Sequence, residues 1–344
     1  MSFAQVLRQA RTGLGDVRGA ASRRALVILT YHGLRTDDAG IRNWMLLPQS
    51  EFARQVAELR ERYDVLPVDD AVARLLAGNL DRPTACITFD DGYFNNLSLA
   101  LPVLRAHGAP ATVFLATHFI GSTDVLWTTA IDAAFDAARA GTVDLSRFGL
   151  GVWSYDSVEQ ARRVGIAIKS RLKDLEVERR DEVLEFLKVR LPDPSPDYLA
   201  AFRFLDWDQV RELERTGLVT IGAHTVHHEI LARLASEPLR REIEDSVARV
   251  ASECVRPSRG FAYPNGRASD FDARAEEAVA SAGCEFALTT IAGFNAMASR
   301  RFALRRLSIA GDCDLAGFRR LTSRVRNAAM AVARLASAAA RETA

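Results

Sequence analysis

The chain has 344 residues, 48% hydrophobic and 26% charged, which suits one large α/β domain or two ordinary ones and excludes wholesale disorder or a collagen-like fibre. Lys and Arg number 45 against 44 Asp and Glu, so the whole chain is not a polycation built for nucleic acid. The apolar run at residues 25–29 is too short for a secretory signal, no run reaches the ~20 residues of a membrane span, and four cysteines without CxxC spacing suit a reducing compartment. The expected location is therefore cytoplasmic.

Strands and helices alternate along the chain. Residues 25–30 read as a buried strand, and 51–62 as a helix capped by Ser50. A weak strand at 65–68 and a short helix at 69–77 precede a strand at 84–89. A helix at 97–107 and a strand at 111–116 follow. Three charged helical stretches, at about 127–140, 157–173 and 176–190, interrupt the pattern. Their apolar content looks too thin for a separate core, so residues 124–205 read as a helical insertion. The alternation resumes with a helix at 207–215, a strand at 218–223 and a helix at 238–254. A short strand at 260–263, a helix at 273–282 and strands at 286–289 and 303–309 complete it. Repeated units of this length predict a mostly parallel α/β sheet, open or closed into a barrel. Basic segments flank this unit. Residues 1–24 read as an N-terminal helical segment and 315–344 as an amphipathic helix, flanking an expected barrel domain at 25–314.

Two signals carry chemistry. Asp90 and Asp91 end the strand at 84–89, where the chain turns at Gly92 and both acids can face one pocket. Parallel-sheet enzymes place their sites at that end. One acid can bind a cation while the other handles a proton; a plain turn or helix N-cap is the competing reading. His224 and His228 follow the strand at 218–223, and a four-residue spacing puts two imidazoles on one side of a helical turn. Two His and one carboxylate form a common site for zinc or another first-row divalent ion, whereas a polar turn or satisfied core histidines would explain the pair without one. A third segment, residues 259–266, ends in Pro264-Asn265-Gly266. Its exposed N–H groups suit an oxyanion, or it is an ordinary β-turn.

These segments resemble the polysaccharide deacetylases, the carbohydrate esterase family with NodB homology. Residues 88–93 match its T-F-D-D-G motif, and residues 224–228 match its H-[ST]-x-x-H motif. Residues 259–266 partly match its third motif, and residues 29–33 resemble the first strand of many members. The resemblance covers about 25–119 and 205–310. It implies a distorted (β/α) barrel of seven or eight strands and metal-dependent removal of N-acetyl groups from an amino sugar. It also implies that Asp90 is the base and that Asp91, His224 and His228 hold the metal. Zinc comes first, with cobalt, manganese or nickel as substitutes. Thr225 steadies the loop through its hydroxyl, and Asn265 beside Pro264 offers an oxyanion N–H.

Two departures stand out. The family's second Arg of the third motif is Ala262, so a guanidinium to orient the base must come from Arg259, Arg267 or Arg306. No histidine follows His228, so the late histidine that serves as the acid is missing. His32 follows the first strand on the barrel rim and is the candidate substitute acid or substrate contact. The expected partner is an N-acetylated glycan, soluble or lipid-linked. The alternatives are an amidohydrolase on a non-sugar amide, or a glycan-binding or regulatory protein that retains the metal site. The basic tail, with Phe318, Leu321, Val325, Val332 and Leu335 spaced along it, packs on the barrel or touches the inner membrane face.

Overall fold

A computed structural model describes residues 25–322. The strands of its main sheet, in chain order, are β1 (Leu26–Tyr31), β2 (Asp64–Val65), β3 (Thr84–Phe89), β4 (Ala111–Leu115), β5 (Val219–Ala223), β6 (Gly260–Ala262), β7 (Phe286–Leu288) and β8 (Leu307–Ser308). They form one parallel sheet in the order β7-β6-β5-β4-β3-β1-β8, with β2 beside β3. β1 and β3 are buried at every position, as expected for strands covered on both faces. Their register pairs Leu26 with Thr84 through to Tyr31 with Phe89.

The segment 304–308 joins the two ends of this sheet. Leu304 bridges Leu288 of β7 through bonds of 2.9 Å from its own N–H to Ala287 and 2.8 Å from Thr289 N–H to its carbonyl. Three residues later, Leu307 and Ser308 pair with Leu29 and Thr30 of β1. The expected barrel of seven or eight strands is the observed fold, although the last strand is only two residues long.

Helix Val68–Leu76 closes the end where the strands begin. Its Val68, Val72 and Leu75 share a buried cluster with Leu26, Ile28 and Phe286. Its Asp69 accepts from the Ser258 hydroxyl at 2.8 Å and from the Arg259 N–H at 2.7 Å, just before β6. The opposite rim, where every strand ends, is left for function.

Residues 124–205 hold more than the three predicted helices. Helices Trp127–Ala137, Val158–Leu172 and Val177–Lys188 are present. An antiparallel hairpin, Gly141–Asp144 with Val152–Tyr155, lies between the first two. Contrary to the expectation from composition, the insertion has a buried cluster of its own, including Phe135, Leu145, Tyr155, Leu172 and Leu187. A glycine makes this packing possible. A Cβ at Gly165 would lie 2.8 Å from the Phe135 ring, so only glycine lets the second helix approach the first so closely.

Smaller corrections concern caps. Ser50 lies inside helix Gln49–Arg62 and makes no cap; Pro48 precedes the helix instead. The predicted helix at 97–107 begins as a π-turn, Asn96–Ala100, before the α-helix Leu101–His107. The start of the basic tail, residues 315–322, is helical and buries Phe318 and Leu321 in the main core, while Arg319 pairs with Glu58 at 2.7 Å. The N-terminal segment 1–24 and the rest of the tail lie outside the described residues.

Candidate active site

The loops after β1, β3, β5, β6 and β7 meet on one rim and line a single pocket that contains His32, Asp90, Asp91, His224, His228 and Asn265. Asp90 continues β3, and its N–H bonds the Tyr31 carbonyl at 3.0 Å. Asp91 and Gly92 then take positive φ values of 76° and 91° and turn the chain sharply. Glycine is required at the second position, because a Cβ there would stand 2.6 Å from Leu115 Cδ2.

Arg306 orients Asp90. Its guanidinium is fully buried and donates to both oxygens of Asp90, at 2.8 and 2.7 Å. The remaining donors reach Thr88 Oγ1 at 3.2 Å and the Thr289 carbonyl at 2.9 Å, so the fork is held on both sides. Burial pushes the Asp90 pKa up, but Arg306, with His224 behind it, outweighs burial and brings it to about 2. Asp90 is therefore an ionised carboxylate with a fixed orientation.

Asp91 behaves differently. Its Oδ1 is buried without a hydrogen-bond partner and lies 3.5 Å from His224 Nε2 and 3.4 Å from His228 Nε2. Burial and the neighbouring Asp90 raise its pKa to about 7. His224 donates Nδ1–H to the Ala262 carbonyl at 2.7 Å, which turns the Nε2 lone pair toward Asp91. Burial lowers the pKa of both histidines, so both imidazoles are neutral. One carboxylate oxygen and two imidazole nitrogens, all within 4.8 Å of one another and without hydrogen bonds among them, are a donor set that fits a divalent cation.

The two histidines meet without a helical turn. Residues 224–230 have no helix, and Thr225 and His228 adopt positive φ of 65° and 60°, which folds the loop so that the rings lie 5.0 Å apart. Thr225 does not steady this loop through its hydroxyl, which is buried without a partner; its carbonyl accepts from Thr117 N–H at 3.1 Å. The anchor that sequence reading missed is Glu242, on helix Ser236–Glu253. Its carboxylate accepts from the N–H groups of Val226 at 3.0 Å and His227 at 2.8 Å, and from His227 Nδ1 at 2.6 Å. His227 is thereby turned toward Glu242, with its ring 4.7 Å from that of His118.

The third segment forms a tight turn, with Gly266 N–H on the Pro264 carbonyl at 2.6 Å and Asn265 at a φ of 57°. The Thr290 hydroxyl donates to the Asn265 carbonyl, and among the described residues the Asn265 N–H has no hydrogen-bond partner. The described residues contain four non-glycine positive-φ positions, Asp91, Thr225, His228 and Asn265, and all lie in these three loops. Strain gathers where function needs it.

Arg306 is the guanidinium that meets Asp90, so the other two candidates serve elsewhere. Arg259 precedes β6 at the far end of the barrel and pairs with Glu285 at 2.9 Å, too remote to orient the base. Arg267 lines the pocket mouth without touching Asp90. His32 lines the pocket with its ring edge-on to Trp44 at a centroid distance of 5.1 Å, and burial lowers its pKa to about 4. Tyr93, Tyr263 and Phe294 are core residues, and Arg203 covers Phe94 at 3.8 Å. Trp44 is the aromatic residue that lines the pocket. Lys169 and Lys173, from the insertion, form its other wall.

The sequence profile described as polysaccharide deacetylase matches residues 77–287. YxkH of Bacillus subtilis (strain 168) is 33% identical over 99 residues, 28% of this chain, and the match spans about a third of that relative, 33%. Among solved structures, the Streptococcus pyogenes deacetylase PplD, in complex with acetate, has a TM-score of 0.57 at 16% identity, covering 86% of this chain and 97% of that one. IcaB from Ammonifex degensii has a TM-score of 0.53 at 17% identity, covering 84% and 93%. At such identities these structures speak for the fold. With more than half of its length matched by the profile, the chain belongs to the polysaccharide deacetylase family.

Proposed function

We propose that this protein is a metal-dependent deacetylase that hydrolyses the acetamide of an N-acetylated amino sugar in a glycan or glycan precursor. The observation that carries this reading is the division of labour between adjacent acids. Arg306 holds Asp90 ionised, while Asp91 faces two neutral imidazoles. A binding protein has no use for the first.

Asp91, His224 and His228 would hold a divalent cation, which would supply Lewis acidity to the amide carbonyl and to a water. Asp90 accepts the proton of the attacking water, and Arg306 keeps the carboxylate in position to do so. The Asn265 N–H meets the oxyanion that develops on the carbonyl. As the C–N bond breaks, the proton on Asp90 passes to the leaving amine, so protons balance without a separate acid. His32, neutral in its buried setting, binds substrate on the Trp44 side of the pocket. The Trp44 ring offers an apolar face to a sugar.

The test is acetate release from a panel of N-acetylated oligosaccharides by purified protein, stripped with a chelator and then given zinc, cobalt, manganese or nickel. Metal-restored release supports the reading. No release from any acetylated sugar with any metal refutes it.

A further inference from the structure

Helix Val158–Leu172 and the residue that follows it bring Lys169 and Lys173, four apart and so on one face, to the wall of the pocket opposite the barrel rim. Arg267 lines the same pocket from the turn after Asn265 and acts on Lys173 as a neighbouring like charge. Each nearby carboxylate already has a task. Asp132 pairs with Lys169, Asp90 with Arg306, and Asp174 with Arg233. Asp270 accepts from the Arg267 backbone N–H at 2.9 Å, and Asp91 faces the histidines. Lys173 Nζ donates to the Asn265 side-chain oxygen, a neutral acceptor that leaves the charge unbalanced and accounts for one of three donors. Among the described residues the Arg267 guanidinium has no ion pair. Burial, then Lys169 and Arg267 as like charges, lower the Lys173 pKa to about 8, the response expected of a cationic cluster short of an anion.

We propose that Lys173 and Arg267 form a subsite for an anionic oxygen group, a carboxylate or a phosphate, carried on or next to the N-acetylated sugar. The inference rests on the deacetylase reading for which sugar it is, and extends it by naming an acidic substrate class. A cation in the Asp91 site would make the pocket more positive and increase the preference for an anion.

The experiment measures equilibrium binding by calorimetry and acetate release in parallel, on full-length, zinc-loaded protein. The probes are N-acetylglucosamine 1-phosphate, a hyaluronan tetrasaccharide with uronate carboxylates, and neutral chitotetraose. The wild type should bind one anionic probe at least about tenfold more tightly than chitotetraose, and the probe preferred distinguishes phosphate from carboxylate. Arg267→Gln, an exposed position that should not disturb folding, and Lys173→Met should each reduce that ratio by about tenfold, while Lys173→Arg keeps most of it. Equal or tighter binding of chitotetraose, no binding of either anionic probe, or a ratio unmoved in both charge-removing variants overturns the proposal. Preference without acetate release would count against the deacetylase reading and leave the subsite. Release from chitotetraose without preference would do the reverse.

Discussion

Replacing Arg306 with Met should expose how much of the site's order rests on one buried pair. The guanidinium satisfies both oxygens of Asp90, the Thr88 hydroxyl and the Thr289 carbonyl, with no solvent access. Removing it leaves a carboxylate that is only 2% exposed without a cation. Breaking a buried ion pair from one side costs about 3–5 kcal/mol. With a urea m-value of roughly 3 kcal/mol/M for a domain of this size, the midpoint should fall by about 1–1.7 M. Asp90→Asn alone should also destabilise, because Arg306 then loses its charged acceptor. The double variant Asp90→Asn/Arg306→Met removes both charges and should cost at least about 2 kcal/mol less than the sum of the singles. Urea unfolding of all four proteins, followed by circular dichroism with chelator present, measures this coupling without interference from metal. Additivity within about 0.5 kcal/mol would refute the claim that Arg306 and Asp90 act as a unit.

Other outcomes follow from the loops and core. Glu242→Ala should lower metal affinity by about 10–100-fold in a zinc titration, because the loop carrying His224 and His228 loses its anchor. Unchanged affinity would mean that the loop holds itself. Gly92→Ala should destabilise by at least about 1–3 kcal/mol in thermal melts, since its Cβ would meet Leu115 at a positive φ; a neutral result contradicts that reading. All four cysteines are free and buried, and burial raises each thiol pKa. An aromatic disulfide reagent should therefore react slowly with native protein and with four thiols in denaturant; fast native reaction would contradict the burial.

Much of the barrel was legible because its strands are continuous apolar runs. The strand over Thr84–Phe89 and the helix Trp207–Arg215, with its Asp206 capping box, coincide with the sequence expectation. The insertion's core was not legible. Phe135, Tyr155 and Leu187 are scattered among charges and meet only after the chain folds back on itself. In the site, the three loops could be found from residue types at strand ends. The choice of Arg306 over Arg259 could not, because each immediately precedes a short strand and only the folded barrel brings the Arg306 guanidinium to Asp90 while Arg259 meets Asp69 and Glu285. The loop at 224–228 misled for a local reason. A four-residue His spacing reads as helical, whereas two left-handed residues achieve the same convergence. Glu242 sits in a charged helix and Lys173 at the end of another, where nothing in the sequence distinguishes them from solvated neighbours.

The most direct test of the account separates Asp90 from its neighbour. Zinc-loaded Asp90→Asn should retain wild-type metal stoichiometry and lose acetate release by about 10²–10⁴-fold, since an amide cannot accept the water's proton. The His224→Ala/His228→Ala protein, measured beside it, should lose the metal itself. Acetate release by Asp90→Asn at the wild-type rate, or full metal content in the double variant, would contradict the assignment.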